Sequence, residues 1–121
     1  MFKISKEFTF EAAHRLNLVP DGHKCRNLHG HSYRVQIVLQ SVSLNECEMV
    51  LDYAELNWLG DFILRNLDHK TLNDVFNFEP TAERIAEYLY KVCAVHKPDW
   101  LKYLQCIRVS ETAKTWAEYS Q

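Results

Sequence analysis

The chain has 121 residues, of which 47% are hydrophobic, so its length and composition predict one domain with an ordinary core. Fourteen basic and 16 acidic residues give a net charge of -2 without a basic block, which argues against nucleic acid as a partner. The start, MFKISKEFTF, alternates apolar and charged residues, so it predicts neither a signal peptide nor a membrane span. The four cysteines contain no CxxC pair, and we expect them to be reduced thiols in a cytosolic protein.

Alternating apolar and polar residues predict two long strands in the first third of the chain. Residues 2–14 alternate, with Lys6 as the exception on the apolar face, and residues 31–39 alternate again. The segment between them contains Pro20, Asp21 and Gly22, which is typical of a loop. This pattern predicts an antiparallel hairpin.

Two helices are predicted next. Asp52, with Glu55 three residues later, forms a capping-box pattern at the start of the first helix. Thr81, just after Pro80, is the predicted cap of the second helix, which Pro98 ends. The apolar positions at helical spacing are Leu56, Leu59, Ile63 and Leu67 in the first helix and Ala82, Ile85, Ala86, Leu89, Val92 and Cys93 in the second.

The last segment, residues 104–119, predicts a strand, a turn at 112–114 and a short strand containing Trp116. The order ββααββ is typical of an α+β domain in which two helices cover one face of an antiparallel sheet. A four-stranded sheet has two exposed edges that favour association. We therefore expect edge-to-edge pairing to close a ring of subunits.

Three histidines fall on the apolar faces of the predicted hairpin. His14 shares its face with Phe10, and His29 and His31 share theirs with Tyr33. Three imidazoles without a fourth protein ligand are typical of a catalytic zinc ion with an open position. Ordinary hydrogen-bonded core histidines are the alternative, but the H-x-H pair with a third histidine on the matching face favours a metal.

Cys25 lies in the predicted loop, four residues before His29 in the run CRNLHGHS. A metal ion favours the thiolate form of a nearby thiol, so Cys25 is a candidate nucleophile or base. The alternative is a fourth ligand that closes a structural zinc site with the three histidines. The chemistry of the thiolate favours the catalytic interpretation.

Asp68, His69 and Glu111 are the remaining candidates. Asp68 and His69 are adjacent in the polar run LDHKTLND, where a turn could pair carboxylate and imidazole for acid–base work. Local turn bonds are the alternative. Glu111 continues the apolar face of Val109, so we expect an inward-directed carboxylate at a strand end. Its partner is either a ligand with two parallel N–H donors or an internal Arg or Lys.

The segments FTFEAAHRL, GHKCRNLHGHS, LDYAEL, LDHKTLND, PTAERIAEYL and VSET follow one another over nearly the whole chain. Together they resemble the 6-pyruvoyltetrahydropterin synthase family, and look most like its bacterial 6-carboxy-5,6,7,8-tetrahydropterin synthases. The resemblance implies one tunnelling-fold domain over residues 1–121. In that fold three ββααββ subunits close an antiparallel barrel, two barrels usually stack into a hexamer, and active sites lie between subunits.

The resemblance also implies roles for the site residues. His14, His29 and His31 would bind Zn²⁺, and Cys25 would accept a proton. His69 with Asp68 behind it would support proton transfer, and Glu111 would hold the 2-amino-pyrimidinone edge of a pterin. The cations near these motifs that could bind a triphosphate are Arg15, Lys24, Arg26 and Lys70, although solvated surface charge is the better explanation for each of them individually.

The implied reaction converts 7,8-dihydroneopterin triphosphate to 6-carboxytetrahydropterin, acetaldehyde and triphosphate, a lyase step that serves queuosine through 7-deazaguanine synthesis. Two alternatives stay open. One is a 6-pyruvoyl synthase, which releases triphosphate but keeps the three-carbon side chain. The other is a non-catalytic pterin- or zinc-binding module.

Overall fold

A long antiparallel hairpin organises the fold in the computed structural model, which describes residues 1–121. Strands β1 (Phe2–His14) and β2 (His29–Ser41) pair along all 13 residues of each strand. Their alternating pattern is confirmed, and β2 begins two residues earlier than predicted. Both imidazoles of the H-x-H pair therefore lie on the strand itself.

Three further strands complete a sheet in the order β3-β1-β2-β4-β5. β4 (Leu104–Ser110) and β5 (Ala117–Tyr119) continue the sheet in antiparallel fashion, and Trp116 lies just before β5 rather than within it. β3 (Lys70–Thr71) pairs in parallel with β1, so the expectation of four purely antiparallel strands was wrong. Two residues are too short a run to show the alternation from which strands are predicted.

The helices cover one face of this sheet. A 3-10 turn (Tyr53–Leu56) leads into α1 (Asn57–Asn66), and α2 (Leu72–Val75) follows β3. The Asp52 side chain accepts from the Ala54 backbone N–H at 2.9 Å, so it caps the 3-10 turn and not the α-helix, contrary to prediction. The cap of α3 (Ala82–His96) is confirmed, because the Thr81 hydroxyl accepts from the Arg84 backbone N–H at 3.2 Å.

The core lies between the helices and the apolar sheet face, where Ile37, Leu59 and Leu89 are fully buried. Lys6 is the exception to the alternation. Its Nζ donates at 2.6 Å to Oδ1 of Asn57, the first residue of α1. The opposite sheet face is polar, as in the ion pair between Arg34 and Glu7. None of the helices has the length and hydropathy that a membrane crossing requires.

Candidate metal centre and active site

The hairpin brings three histidines together at one end of the sheet. His14 ends β1 and His29 begins β2, and these two residues face each other in the strand register. His31 lies two residues further along β2 on the same face. One nitrogen from each ring lies within 4.8 Å of the others, so this histidine cluster could hold a metal ion.

Hydrogen bonds to carbonyl groups orient two of these rings. His14 Nδ1 lies 2.7 Å from the carbonyl oxygen of Pro80, and His29 Nδ1 lies 2.7 Å from that of Asn27. A carbonyl oxygen only accepts, so each Nδ1 donates and each neutral ring keeps its lone pair on Nε2. These two Nε2 atoms are 3.1 Å apart. Imidazoles that bind metals are usually oriented in this way, through a hydrogen bond from the other ring nitrogen.

His31 supplies the third nitrogen. Its Nε2 is buried and has no hydrogen-bond partner. Burial lowers the pKa of His31, the nearby Glu111 carboxylate opposes this shift, and the other two histidines add to it. The neutral form that results is the one that binds a metal ion. An unpaired buried nitrogen beside two converging lone pairs fits a Zn²⁺ ion, whose usual ligands include neutral imidazoles.

Glu111 lies directly after β4 and faces the histidine cluster. Its carboxylate oxygens are 4.0 Å from His14 Nε2 and 3.8 Å from His31 Nε2, and its side chain is 26% exposed. Its nearest basic neighbours are therefore imidazoles, and no Lys or Arg forms an ion pair with it. A cavity of about 350 Å³ opens beside Glu111, with Trp116 and the first residues of α3 in its walls.

Cys25 lies on a 3-10 turn (Lys24–Arg26) as a partly exposed free thiol. The group of potential metal ligands contains the three imidazoles and does not include this thiol. His23 caps the turn, because its Nδ1 accepts from the Cys25 backbone N–H at 3.0 Å. No sequence pattern predicts this role of His23, apart from its position two residues before Cys25.

Asp68 and His69 form a hydrogen-bonded pair at the edge of the sheet, with 2.8 Å between Asp68 Oδ2 and His69 Nδ1. The backbone N–H of Glu11 donates to Asp68 Oδ1 at 2.8 Å, and this bond, followed by the one from His69, lowers the pKa of Asp68. His69 has a left-handed backbone (φ 58°) and a side chain that is 78% exposed. His69 borders a cleft of about 460 Å³ that His31 also lines.

Three residues that were not among the candidates contribute to the site. The carbonyl of Pro80 orients His14, and the side chains of Asn73 and Glu79 bind the backbone after His14. A carbonyl group has no sequence signal, and Asn73 was noticed only as part of a polar run. Among the predicted cations, Arg26 donates to the carbonyls of two loop residues and fastens the loop. The other three, Arg15, Lys24 and Lys70, are exposed.

Comparison with known proteins gives one consistent result. The family model described as 6-pyruvoyl tetrahydropterin synthase matches residues 3–121. The 6-carboxy-5,6,7,8-tetrahydropterin synthase of Synechocystis is 39% identical over 125 residues, which cover 98% of this chain and 93% of that protein. The enzyme of the same name from Haemophilus influenzae is 33% identical over 148 residues, with both chains fully covered.

A solved structure of 6-pyruvoyl tetrahydropterin synthase from Caenorhabditis elegans superimposes with a TM-score of 0.83 at 26% identity. The superposition covers 99% of this chain and 95% of that one. The matches thus agree in sequence and in fold over nearly the whole length. The chain belongs to the 6-pyruvoyl tetrahydropterin synthase family.

Proposed function

We propose that the chain is a zinc-dependent 6-carboxy-5,6,7,8-tetrahydropterin synthase. As such it is a carbon–carbon lyase that converts 7,8-dihydroneopterin triphosphate to 6-carboxytetrahydropterin, acetaldehyde and triphosphate, in 7-deazaguanine synthesis for queuosine. The observation that carries the proposal is the convergence of three imidazole nitrogens beside the Glu111 carboxylate. It occurs in a chain that is 33–39% identical, over nearly its full length, to enzymes of that name.

His14, His29 and His31 are the proposed zinc ligands. A bound Zn²⁺ ion in such a site supplies Lewis-acid polarisation of a substrate oxygen. The protein's part is to orient the rings of His14 and His29 through the carbonyls of Pro80 and Asn27, and to favour the neutral form of His31 through its burial, which lowers its pKa.

Cys25 is the proposed proton acceptor. A base must reach the proton that it removes. The Leu16 N–H donates to the Cys25 carbonyl at 2.8 Å, and this hydrogen bond holds the backbone of Cys25 near the end of β1. The Asp68–His69 pair is the proposed second proton carrier. Asp68 holds the Nδ1 side of the ring, so the exposed Nε2 is free to exchange a proton.

Glu111 is the proposed binding group for the pterin. A carboxylate accepts two parallel N–H donors, and the 2-amino-pyrimidinone edge of a pterin offers such a pair. The adjoining cavity of about 350 Å³ falls in the size range of small-molecule sites. The same carboxylate stands within 4.0 Å of the histidine cluster, so a pterin held there would present its side chain towards the metal ligands.

The proposal includes an oligomer built from this single tunnelling-fold domain, as a trimer or a dimer of trimers. β3 covers only Ala12 and Ala13 of β1, so the rest of that edge, from Phe2 to Glu11, has no partner strand within one chain. Active sites between subunits would then combine Cys25 of one chain with the Asp68–His69 pair of another. We expect this enzyme in the cytosol, where its four free cysteines stay reduced, with neither nucleic acid nor membrane as a partner.

Product analysis tests the reaction. We expect the zinc-loaded protein, incubated with 7,8-dihydroneopterin triphosphate, to release acetaldehyde in equal amount to a 6-carboxy pterin, both measured by mass spectrometry. A 6-pyruvoyl product would instead establish the second candidate, which the name of the Caenorhabditis elegans neighbour favours.

The variant Cys25→Ala tests the mechanism against a non-catalytic binding module. We expect unchanged zinc content and a fall in kcat of roughly 100-fold or more, because general-base catalysis contributes that much. Cys47→Ala, which removes an exposed thiol, is the matched control with unchanged turnover. Loss of zinc in Cys25→Ala would make Cys25 a ligand and contradict its role as base.

A further inference from the structure

The loop that carries Cys25, residues 15–28, is fixed at its base by a side chain from a distant segment. Asn73 Oδ1 accepts from the Arg15 backbone N–H at 2.8 Å, and Asn73 Nδ2 donates to the Arg15 carbonyl at 2.9 Å. One amide thus satisfies both backbone groups of the residue after His14, as a neighbouring strand would. Asn73 lies on α2, four residues after His69 in the same chain.

Glu79 holds the next part of this loop. Its Oε1 accepts from the backbone N–H groups of Asn17 and Leu18. No Lys or Arg forms an ion pair with Glu79, so these amide groups are the partners of its charge. Hydrogen bonds to an ionised carboxylate are among the stronger ones. The next residue, Pro80, orients the His14 ring through its carbonyl, so one dipeptide fixes both the loop and a proposed metal ligand.

The position of Cys25 follows from these bonds. Leu16, between the two clamped positions, donates its N–H to the Cys25 carbonyl at 2.8 Å. Arg26 ties the turn back by donating to the carbonyls of Asn17 at 2.9 Å and Val19 at 2.8 Å. Most of the loop is exposed, so little apolar burial holds it, and its conformation depends on these polar contacts.

We propose that Asn73 and Glu79 are positioning residues that set the place of the Cys25 thiol relative to the histidine cluster. The inference deepens the proposed function, since it rests on Cys25 as the base. A displacement of a reacting group by about 1 Å can cost about 100-fold in rate. Loss of either side chain therefore lowers kcat through the loop, while the zinc ligands and Glu111 remain.

The test compares Glu79→Ala and Asn73→Ala with Glu79→Gln, whose amide oxygen can still accept from both N–H groups. We expect hydrogen exchange at Asn17 and Leu18 to accelerate about 10-fold or more in Glu79→Ala. We expect the rate of Cys25 alkylation by iodoacetamide, followed by mass spectrometry, to change at least about threefold in both alanine variants. Exposed Cys47 is the internal reference whose alkylation rate stays constant.

Kinetics provide the second readout. We expect kcat to fall about 10-fold or more in the alanine variants, with KM within about threefold of wild type and zinc content unchanged. Glu79→Gln restores most of kcat. The controls Asn66→Ala and Glu46→Ala, at exposed positions away from the loop, leave loop exchange, Cys25 alkylation and kcat as in wild type.

Unchanged exchange and alkylation in Glu79→Ala overturn the positioning role, even if kcat falls. Should Asn73→Ala fail to fold, Glu79→Ala decides alone, because Glu79 is only partly buried. If the wild-type protein does not convert dihydroneopterin triphosphate, the proposed function fails. The exchange and alkylation rates then still decide whether the two residues hold the loop.

Discussion

Tyr33 lies against the histidine cluster with a buried hydroxyl that has no hydrogen-bond partner. Its ring stacks on Phe10 at a centroid distance of 4.7 Å and meets the rings of His14 and His31 edge-on. Burial raises the pKa of Tyr33 above its ordinary value, and the charge of Glu111 adds to the shift. The ring thus contributes to packing, while the burial of its unpaired hydroxyl lowers the stability of the fold.

We expect Tyr33→Phe to raise the free energy of unfolding by about 1 kcal/mol, because it removes an unpaired buried polar group and keeps the ring. Urea denaturation measures the change, and zinc content stays as in wild type. The exposed Tyr53 offers the control Tyr53→Phe, which we expect to be neutral. A loss of stability in Tyr33→Phe would show that the hydroxyl has a partner in solution.

The lowered pKa of Asp68 predicts a pH dependence of the His69 turn. The folded carboxyl releases its proton more readily than the unfolded one, so its stabilising contribution is complete above the ordinary value of 3.8. The contribution is lost as the pH falls through the lowered folded pKa. Carboxyl NMR titration should give that pKa, and the protection of the His69 amide, which donates to the Glu11 carbonyl, should fall with it. In Asp68→Asn this step should be missing.

At the scale of elements, α1 approaches β1 closely at one glycine. A Cβ atom added at Gly60 would lie 2.7 Å from two ring carbons of Phe8. The absence of a side chain therefore lets the helix rest on the aromatic ring, next to the site where Lys6 reaches the first residue of α1.

We expect Gly60→Ala to lower the free energy of unfolding by about 1 kcal/mol. Overpacking costs about 1–3 kcal/mol, and the gain in helix propensity of about 1 kcal/mol offsets only part of it. Chemical denaturation measures the difference, with Asp61→Ala on the exposed face of α1 as the matched control. A net gain in stability would mean that the half-buried Phe8 ring moves aside freely.

Sequence patterns predicted those strands and helices that are long enough to show a hydrophobic period. The 13-residue alternation of β1 was correct, and so was the Thr81 cap. β3 and the parallel pairing were missed, because two residues show no period. The proximity of Glu111 to the histidine cluster was also missed, since it depends on β4 pairing with β2, a contact between positions some 75 residues apart in sequence. Strand register shows which face of the sheet a side chain occupies. The distance between two side chains depends on how the strands are assembled into the sheet.

At the scale of the whole molecule, the two edges of the sheet differ. β5 provides one edge of only three residues, whereas β1 leaves most of its 13 residues unpaired on the other side. Long unpaired edges favour pairing with another chain.

We expect the protein in solution to have three or six times the mass of one chain, because edge pairing that closes a ring leaves no free strand. Sedimentation equilibrium at micromolar concentration measures this mass. A monomer that is fully active with dihydroneopterin triphosphate would contradict both the ring and the sharing of active sites between subunits.

Two separate requirements meet at position 69, where His69 has a left-handed backbone. The imidazole is needed for its chemistry, and a residue that tolerates positive φ is needed for the turn that leads from α1 into β3. Asparagine and glycine meet the second requirement without the first, whereas a β-branched residue meets neither. A natural relative with asparagine at this position would therefore keep the shape of the turn while giving up its proton carrier. Shape and chemistry at this corner can thus diverge independently during evolution.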